Sequence, residues 1–91
     1  MPVVETSLVI TNKVGLHARP ASLLVQTAAQ FQSKIKVQLG ERAVNAKSIL
    51  NVMTLGATVG STIVVRAEGE DAEQAVVALT DLVRRNFDEE E

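Results

Sequence analysis

The sequence contains no cysteine, tryptophan or tyrosine, and only one histidine, two prolines and two phenylalanines in 91 residues. Without cysteine there is no disulfide framework, thiolate metal site or redox pair, and because small secreted domains commonly rely on disulfides, a cytoplasmic setting is expected. One histidine without cysteine also falls short of a metal ligand set, so neither metal nor cofactor is expected. The missing aromatics remove the stacking platforms of nucleic-acid binders, and a formal net charge of −2 offers no basic excess for a phosphate backbone. No apolar run approaches the roughly 20 residues of a membrane span. Met1 to Ile10, with Glu5, Thr6 and Ser7, lacks both the basic start and the apolar stretch of a signal peptide. The expectation is a soluble protein with no membrane and no nucleic-acid partner.

What is present is aliphatic: 14 Val, 11 Ala, 9 Leu and 4 Ile, enough for one small core. The length falls below that of a usual domain, and no repeat or Pro/Ser-rich linker interrupts it, so residues 1–91 read as a single domain. Charge is unevenly spread. Residues 1–48 hold six bases and two acids, whereas residues 49–91 hold three bases and nine acids, four of them in the tail Asp88 to Glu91. This asymmetry points to an anionic group or acidic partner meeting the first half, and the tail itself is expected to be solvated and disordered.

Val4, Thr6, Leu8 and Ile10 alternate with Val3, Glu5, Ser7 and Val9, which predicts a first strand. After a loop from Asn12 to Leu16, the residues Ala21, Leu24, Val25 and Ala28 follow helical spacing, and Pro20 suits only the first turn. Ile35, Val37 and Leu39 alternate with polar neighbours as a second strand, and Gly40 turns it into a third at Arg42 to Asn45. Lys47 to Thr54 reads as a short helix stopped by Gly56, and Ile63, Val65 and Ala67 mark a fourth strand. Asp71 then opens a last helix as its N-cap, with Gln74 as capping-box partner and Ala72, Ala75, Val76, Leu79, Leu82 and Val83 as the buried stripe. The order β-α-β-β-α-β-α, with half-polar strands and three amphipathic helices, predicts a two-layer α+β fold with helices on one side of a sheet. A helix between strands one and two permits a split βαβ arrangement, another strand lying between them.

His17 lies in Val14-Gly15-Leu16-His17-Ala18-Arg19-Pro20-Ala21. A lone histidine is most often an ordinary surface side chain, but its neighbours make this one distinctive. Gly15 lets the loop approach the helix closely and Pro20 fixes the first turn, which places His17 at the N-cap beside the unpaired amides of Ala18 and Arg19. Arg19 adds a guanidinium whose fork matches phosphate oxygens. A neutral imidazole is nucleophilic near neutral pH, so this constellation suits acceptance of a phosphoryl group. No acid is forced close by the local sequence, and the arrangement does not resemble a hydrolytic triad.

Gly15 to Ala21 resembles the active-site signature of the HPr family, the histidine-containing phosphocarriers of the bacterial phosphoenolpyruvate-dependent sugar phosphotransferase system. Asn45-Ala46-Lys47-Ser48-Ile49-Leu50 with Thr54-Leu55-Gly56 resembles its second signature, and the likeness covers essentially the whole chain. The resemblance implies a two-layer open-faced β-sandwich, a four-stranded antiparallel sheet covered on one face by three helices. It also implies a monomeric carrier, not an enzyme, that takes phosphate from phosphorylated enzyme I onto His17 Nδ1 and gives it to enzyme IIA components of sugar permeases. Arg19 falls on the family arginine beside the phosphohistidine. Ser48 falls on a serine that, in many Gram-positive relatives, an HPr kinase/phosphorylase modifies to control carbon catabolism through a catabolite-control regulator. Serine also favours a plain N-cap on physical grounds alone.

Periodicity by itself would send most of Ile49, Leu50, Met53 and Leu55 to the core. The resemblance instead makes Ile49, Leu50 and Met53 an exposed docking patch. Val14 departs from the family pattern, since many relatives carry a small polar residue there. Two alternatives remain: a nitrogen-branch or otherwise specialised carrier with the same chemistry at His17, and a mainly regulatory module acting through Ser48.

Overall fold

The computed structural model describes residues 2–88. Seven elements follow the predicted order: β1 (Val3–Val9), α1 (Ala18–Ala28), β2 (Lys34–Leu39), β3 (Arg42–Asn45), α2 (Ile49–Thr54), β4 (Thr62–Glu68) and α3 (Ala72–Arg84). A single 3-10 turn, Asn86–Asp88, follows α3. The strands form one antiparallel sheet in the order β1-β4-β2-β3. Strand β4 thus lies between β1 and β2, which are joined through α1, and this is the split arrangement that the sequence permits.

Register follows from the two-residue period of the strands. Leu8 faces Ile63, and Val37 faces Val65 on one side and Val44 on the other, so the apolar positions line up under the helices. A slip of one residue would turn this whole set into water. The outer face carries Glu5, Arg66 and Lys36 in one row across the sheet. Its Arg66–Glu5 pair, 3.9 Å apart and exposed, adds little to stability.

On the covered face, α1 buries Ala21, Leu24 and Ala28, and α3 buries all six residues of its predicted stripe. Alanines at four of these positions let the two helices pack against each other close to the sheet. Phe87 is fully buried beyond α3, although Asn86, Phe87 and Asp88 all have left-handed backbones with φ of 54°, 54° and 57°. A left-handed conformation costs an L-residue about 1–2 kcal/mol, and burying a phenylalanine is worth about 1.5–3 kcal/mol, so burial offsets the cost at Phe87 itself. Asn86 tolerates the conformation more readily. Asp88 is therefore not part of a free tail: its carboxylate accepts from Arg85 Nε at 3.0 Å, while residues 89–91 of the expected disordered tail lie outside the described residues.

Asp71 corrects a second expectation. It precedes α3 as predicted, and its carbonyl accepts the Ala75 amide at 2.9 Å, but its side chain makes no cap bond. Its carboxylate instead accepts the amides of Gln32 at 2.8 Å and Ser33 at 2.9 Å, together with the Ser33 hydroxyl. These amides belong to the turn between α1 and β2, and the carboxylate supplies their acceptor. Gly69 closes the same knot, since a Cβ there would lie 2.5 Å from Ser33 Oγ and 2.8 Å from Ser33 Cα. The Ser33 hydroxyl first, and then the Gln32 amide, hold the Asp71 carboxyl below its ordinary value.

Because that value is lowered on folding, the charged form stabilises the fold at neutral pH, and the contribution is lost as pH falls through the folded-state value. Asp71→Asn is therefore expected to melt at a lower temperature than the parent at pH 7. Thermal melts across an acid series should show the two converging below the usual aspartate value of about 3.9. A difference that stays constant down to pH 2 would contradict this assignment.

Candidate functional site

The chain leaves β1 through Ile10, whose amide donates to the Ser61 carbonyl and whose carbonyl accepts from Gly60, both at 2.8 Å. Asn12 then turns it: its buried side-chain amide donates to the Gly15 carbonyl at 2.9 Å, and its own carbonyl accepts the Gly15 amide at 3.3 Å. Gly15 has φ of +63°, and a Cβ there would lie 2.5 Å from the Ala57 oxygen and 2.7 Å from Thr58 Cα. The next amide, of Leu16, donates to that Ala57 oxygen at 3.0 Å. Leu16 is buried as a result, and His17 emerges exposed.

His17 is the N-cap of α1, with φ −76° and ψ −174°, and its carbonyl accepts the Ala21 amide at 2.8 Å. Its imidazole makes no cap bond. A helix leaves its first amides without intrahelical partners, and here Pro20 has no N–H, so the amides concerned are those of Ala18 and Arg19. No acid occupies the first turn to neutralise the positive end of the helix. Arg19 is exposed beside these amides and forms no ion pair with a described residue. The unpartnered amides and the positive end of α1 therefore lie at the exposed His17, with Arg19 exposed in the same turn.

The second group of residues stands on α2. Its approach is tied by Asn45, whose side-chain oxygen accepts the Lys47 amide at 2.9 Å, and by Lys47 Nζ, which donates to the Phe31 carbonyl beyond α1 at 2.6 Å. Its far end is held by Arg42, which donates to the Thr54 carbonyl and hydroxyl at 2.8 and 2.9 Å. Ser48 is the N-cap, its Oγ accepting from the Asn51 amide at a long 3.4 Å. Val52 and Leu55 point inward. Leu50 is 73% exposed, and Ile49 and Met53 are exposed at 39% and 38%, contrary to the core placement that periodicity alone predicts.

Met53 and His17 meet in a shallow depression of about 150 Å³, which Val14, Leu16 and residues 56–58 complete. Arg19, Ser48, Ile49 and Leu50 are not among its lining residues. Larger hollows lie over the open sheet face around Lys36 and Arg66, and beside Asp71, but neither includes His17. Sequence reasoning passed over Asn12, Arg42 and Lys47 as framework residues. An Asn three residues before a Gly is a readable turn signal, whereas the other two act on carbonyls distant in sequence.

The family model described as the PTS HPr component phosphorylation site matches residues 4–85. Phosphocarrier protein HPr of Xylella fastidiosa is 48% identical over 86 residues, covering 94% of this chain and 97% of its own. The solved structure of HPr-C-His from Thermoanaerobacter tengcongensis superposes with a TM-score of 0.93 at 49% identity, over 97% of this chain and 99% of that one. A phosphocarrier protein HPr from Bacillus anthracis gives 0.87 at 41% identity, over 91% and 99%.

The Gly15 contact yields a direct test by comparison with Gly40, whose φ of +62° is nearly the same but whose Cβ position has no atom within 4 Å. In urea unfolding, Gly40→Ala should cost about 1–2 kcal/mol for the left-handed backbone alone, and Gly15→Ala about 2–4 kcal/mol because the 57–58 backbone must also move. Equal losses would mean that the close approach places no constraint on the loop.

Proposed function

Since the chain belongs to the HPr family of phosphocarriers of the phosphotransferase system, we propose that His17 is the residue on which it carries phosphate. In this reading His17 Nδ1 takes the phosphoryl group from phosphorylated enzyme I and passes it to enzyme IIA components of sugar permeases. The observation that carries the proposal is the exposed imidazole at the N-cap of α1, uncommitted to capping and adjacent to the Ala18 and Arg19 amides. Nδ1 is the ring nitrogen nearer the backbone.

Transfer requires an Nδ1 lone pair, which the tautomer protonated on Nε2 supplies. The Nδ1–P bond forms as the bond from phosphorus to the donor breaks, and the donor keeps that electron pair. Charge in the transition state spreads over the three equatorial oxygens. The two amides and the positive helix end stabilise it without reorganising, and the Arg19 guanidinium, exposed in the same turn, adds its charge. In the onward step the same bond breaks toward the acceptor.

Ile49, Leu50 and Met53 form the docking patch for both partners, with Met53 an adaptable contact at the edge of the His17 depression. Ser48 is the regulatory phosphorylation position, served by an HPr kinase/phosphorylase and read by a catabolite-control regulator. Phosphate there adds about −1.5 to −2 charge at a helix N-terminus, which the fold tolerates while an acidic partner surface is repelled. The reading carries with it a cytoplasmic, monomeric, single-domain protein.

Incubation with phosphoenolpyruvate and enzyme I should add one phosphoryl group by intact mass, stable in alkali, lost in acid and absent from His17→Ala. A modification that persists in His17→Ala would overturn the assignment. In the same assay Ser48→Asp should raise the apparent KM for the carrier, with the effect shrinking at high salt as the repulsion is screened. An equal loss at both ionic strengths would remove the electrostatic role of Ser48.

A further inference from the structure

The loop that delivers His17 is held from two directions. Residues 57–61 grip it through Ile10, Gly15 and Leu16, and these contacts all come from one segment. The other hold comes from the opposite end of the chain, where the Thr11 hydroxyl donates to Asn86 Oδ1 across 75 residues of sequence. Thr11 directly precedes Asn12, whose side chain fixes the Gly15 carbonyl, so its placement bears on the whole turn that ends at His17. The C-terminal turn also touches α1, whose first amides face the phosphoryl group in the reading above.

Asn86, Phe87 and Asp88 are all held in the left-handed region, which costs non-glycine residues free energy and persists only where the surroundings enforce it. The surroundings over-determine that conformation. Phe87 is fully buried, the Arg85 amide donates to Asp81, the Asp88 amide donates to Arg85, and the Arg85 side chain returns to the Asp88 carboxylate, each at 3.0 Å. What the strained turn presents outward is the Asn86 amide group, aimed at Thr11.

We propose that Thr11 and Asn86 are positioning residues for phosphoryl transfer: the C-terminal turn, anchored by Phe87 and in contact with α1, holds the start of the His17 loop in its working place. The proposal rests on His17 being the phosphorylated residue and deepens that reading. Neither Thr11 nor Asn86 touches the transferred group. Their removal therefore lowers the rate of transfer while leaving partner docking through α2 unchanged.

The experiment compares Thr11→Val, Thr11→Ser, Asn86→Ala and the Thr11→Val/Asn86→Ala double variant, with Ser33→Ala as a destabilised control remote from the loop. Thr11→Val and Asn86→Ala should each lower kcat for phosphorylation by enzyme I about three- to tenfold, a fraction of what a misplaced reacting group can cost, with KM unchanged. Thr11→Ser should retain parental rates, and the double variant should lose no more than the worse single one, since both remove the same bond. Additive losses, unchanged rates, or an equal kcat loss in Ser33→Ala would overturn the proposal. His17 ring-proton chemical shifts in the unphosphorylated proteins separate the two readings. Shifts that move in Thr11→Val and return in Thr11→Ser support the positioning role even where no phosphate is found on His17, and shifts that stay fixed count against it.

Discussion

The backbone contact between Gly15 and residues 57–58 is the constraint on which the site depends. It leaves no room for a side chain at Gly15, and it is locked by the hydrogen bond from Leu16 to Ala57. Because the contact joins the end of β1 to the loop between α2 and β4, it settles several things together. Leu16 must turn into the core, His17 must turn out, and the start of α1 must lie beside the end of α2. The depression shared by His17 and Met53 follows from that adjacency.

The surface around His17 is a compromise between folding and transfer. Burying Leu50 would add about 1.5–3 kcal/mol of stability, and leaving it 73% exposed forgoes much of that. The core compensates elsewhere, with α1 and α3 burying nearly every apolar residue on their inner faces and with Phe87 closing the end. Electrostatics follow the same division. Asp71 spends its charge on folding, in the turn after α1, while the guanidinium of Arg19 has no acidic partner among the described residues.

Much of this was legible from local pattern. The alternation of Ile35, Val37 and Leu39 located β2, and the six apolar positions of α3 named its buried face without error. The place of β4 between β1 and β2 was only permitted, because strand pairing is decided by contacts that no local window contains. Asp71 shows the limit clearly: capping logic looks a few residues ahead, while the donors that captured its carboxylate lie 38 and 39 residues back. In the short helix α2 periodicity points most of the apolar residues to the core, so the exposure of Ile49, Leu50 and Met53 came from the family resemblance rather than from spacing. Phe87 and Asn86 were invisible because a left-handed run of non-glycine residues has no compositional signal, and the bond to Thr11 spans nearly the whole chain.

The central claim is that the first amides of α1 and the imidazole of His17 form one phosphoryl-binding unit. Amide-proton chemical shifts of the isotope-labelled protein before and after phosphorylation test it most directly. Hydrogen bonding to phosphoryl oxygens should move the Ala18 and Arg19 amide protons downfield by more than any others in the chain, leaving those of α3 in place. Unmoved Ala18 and Arg19 signals, with the largest changes elsewhere, would contradict the account.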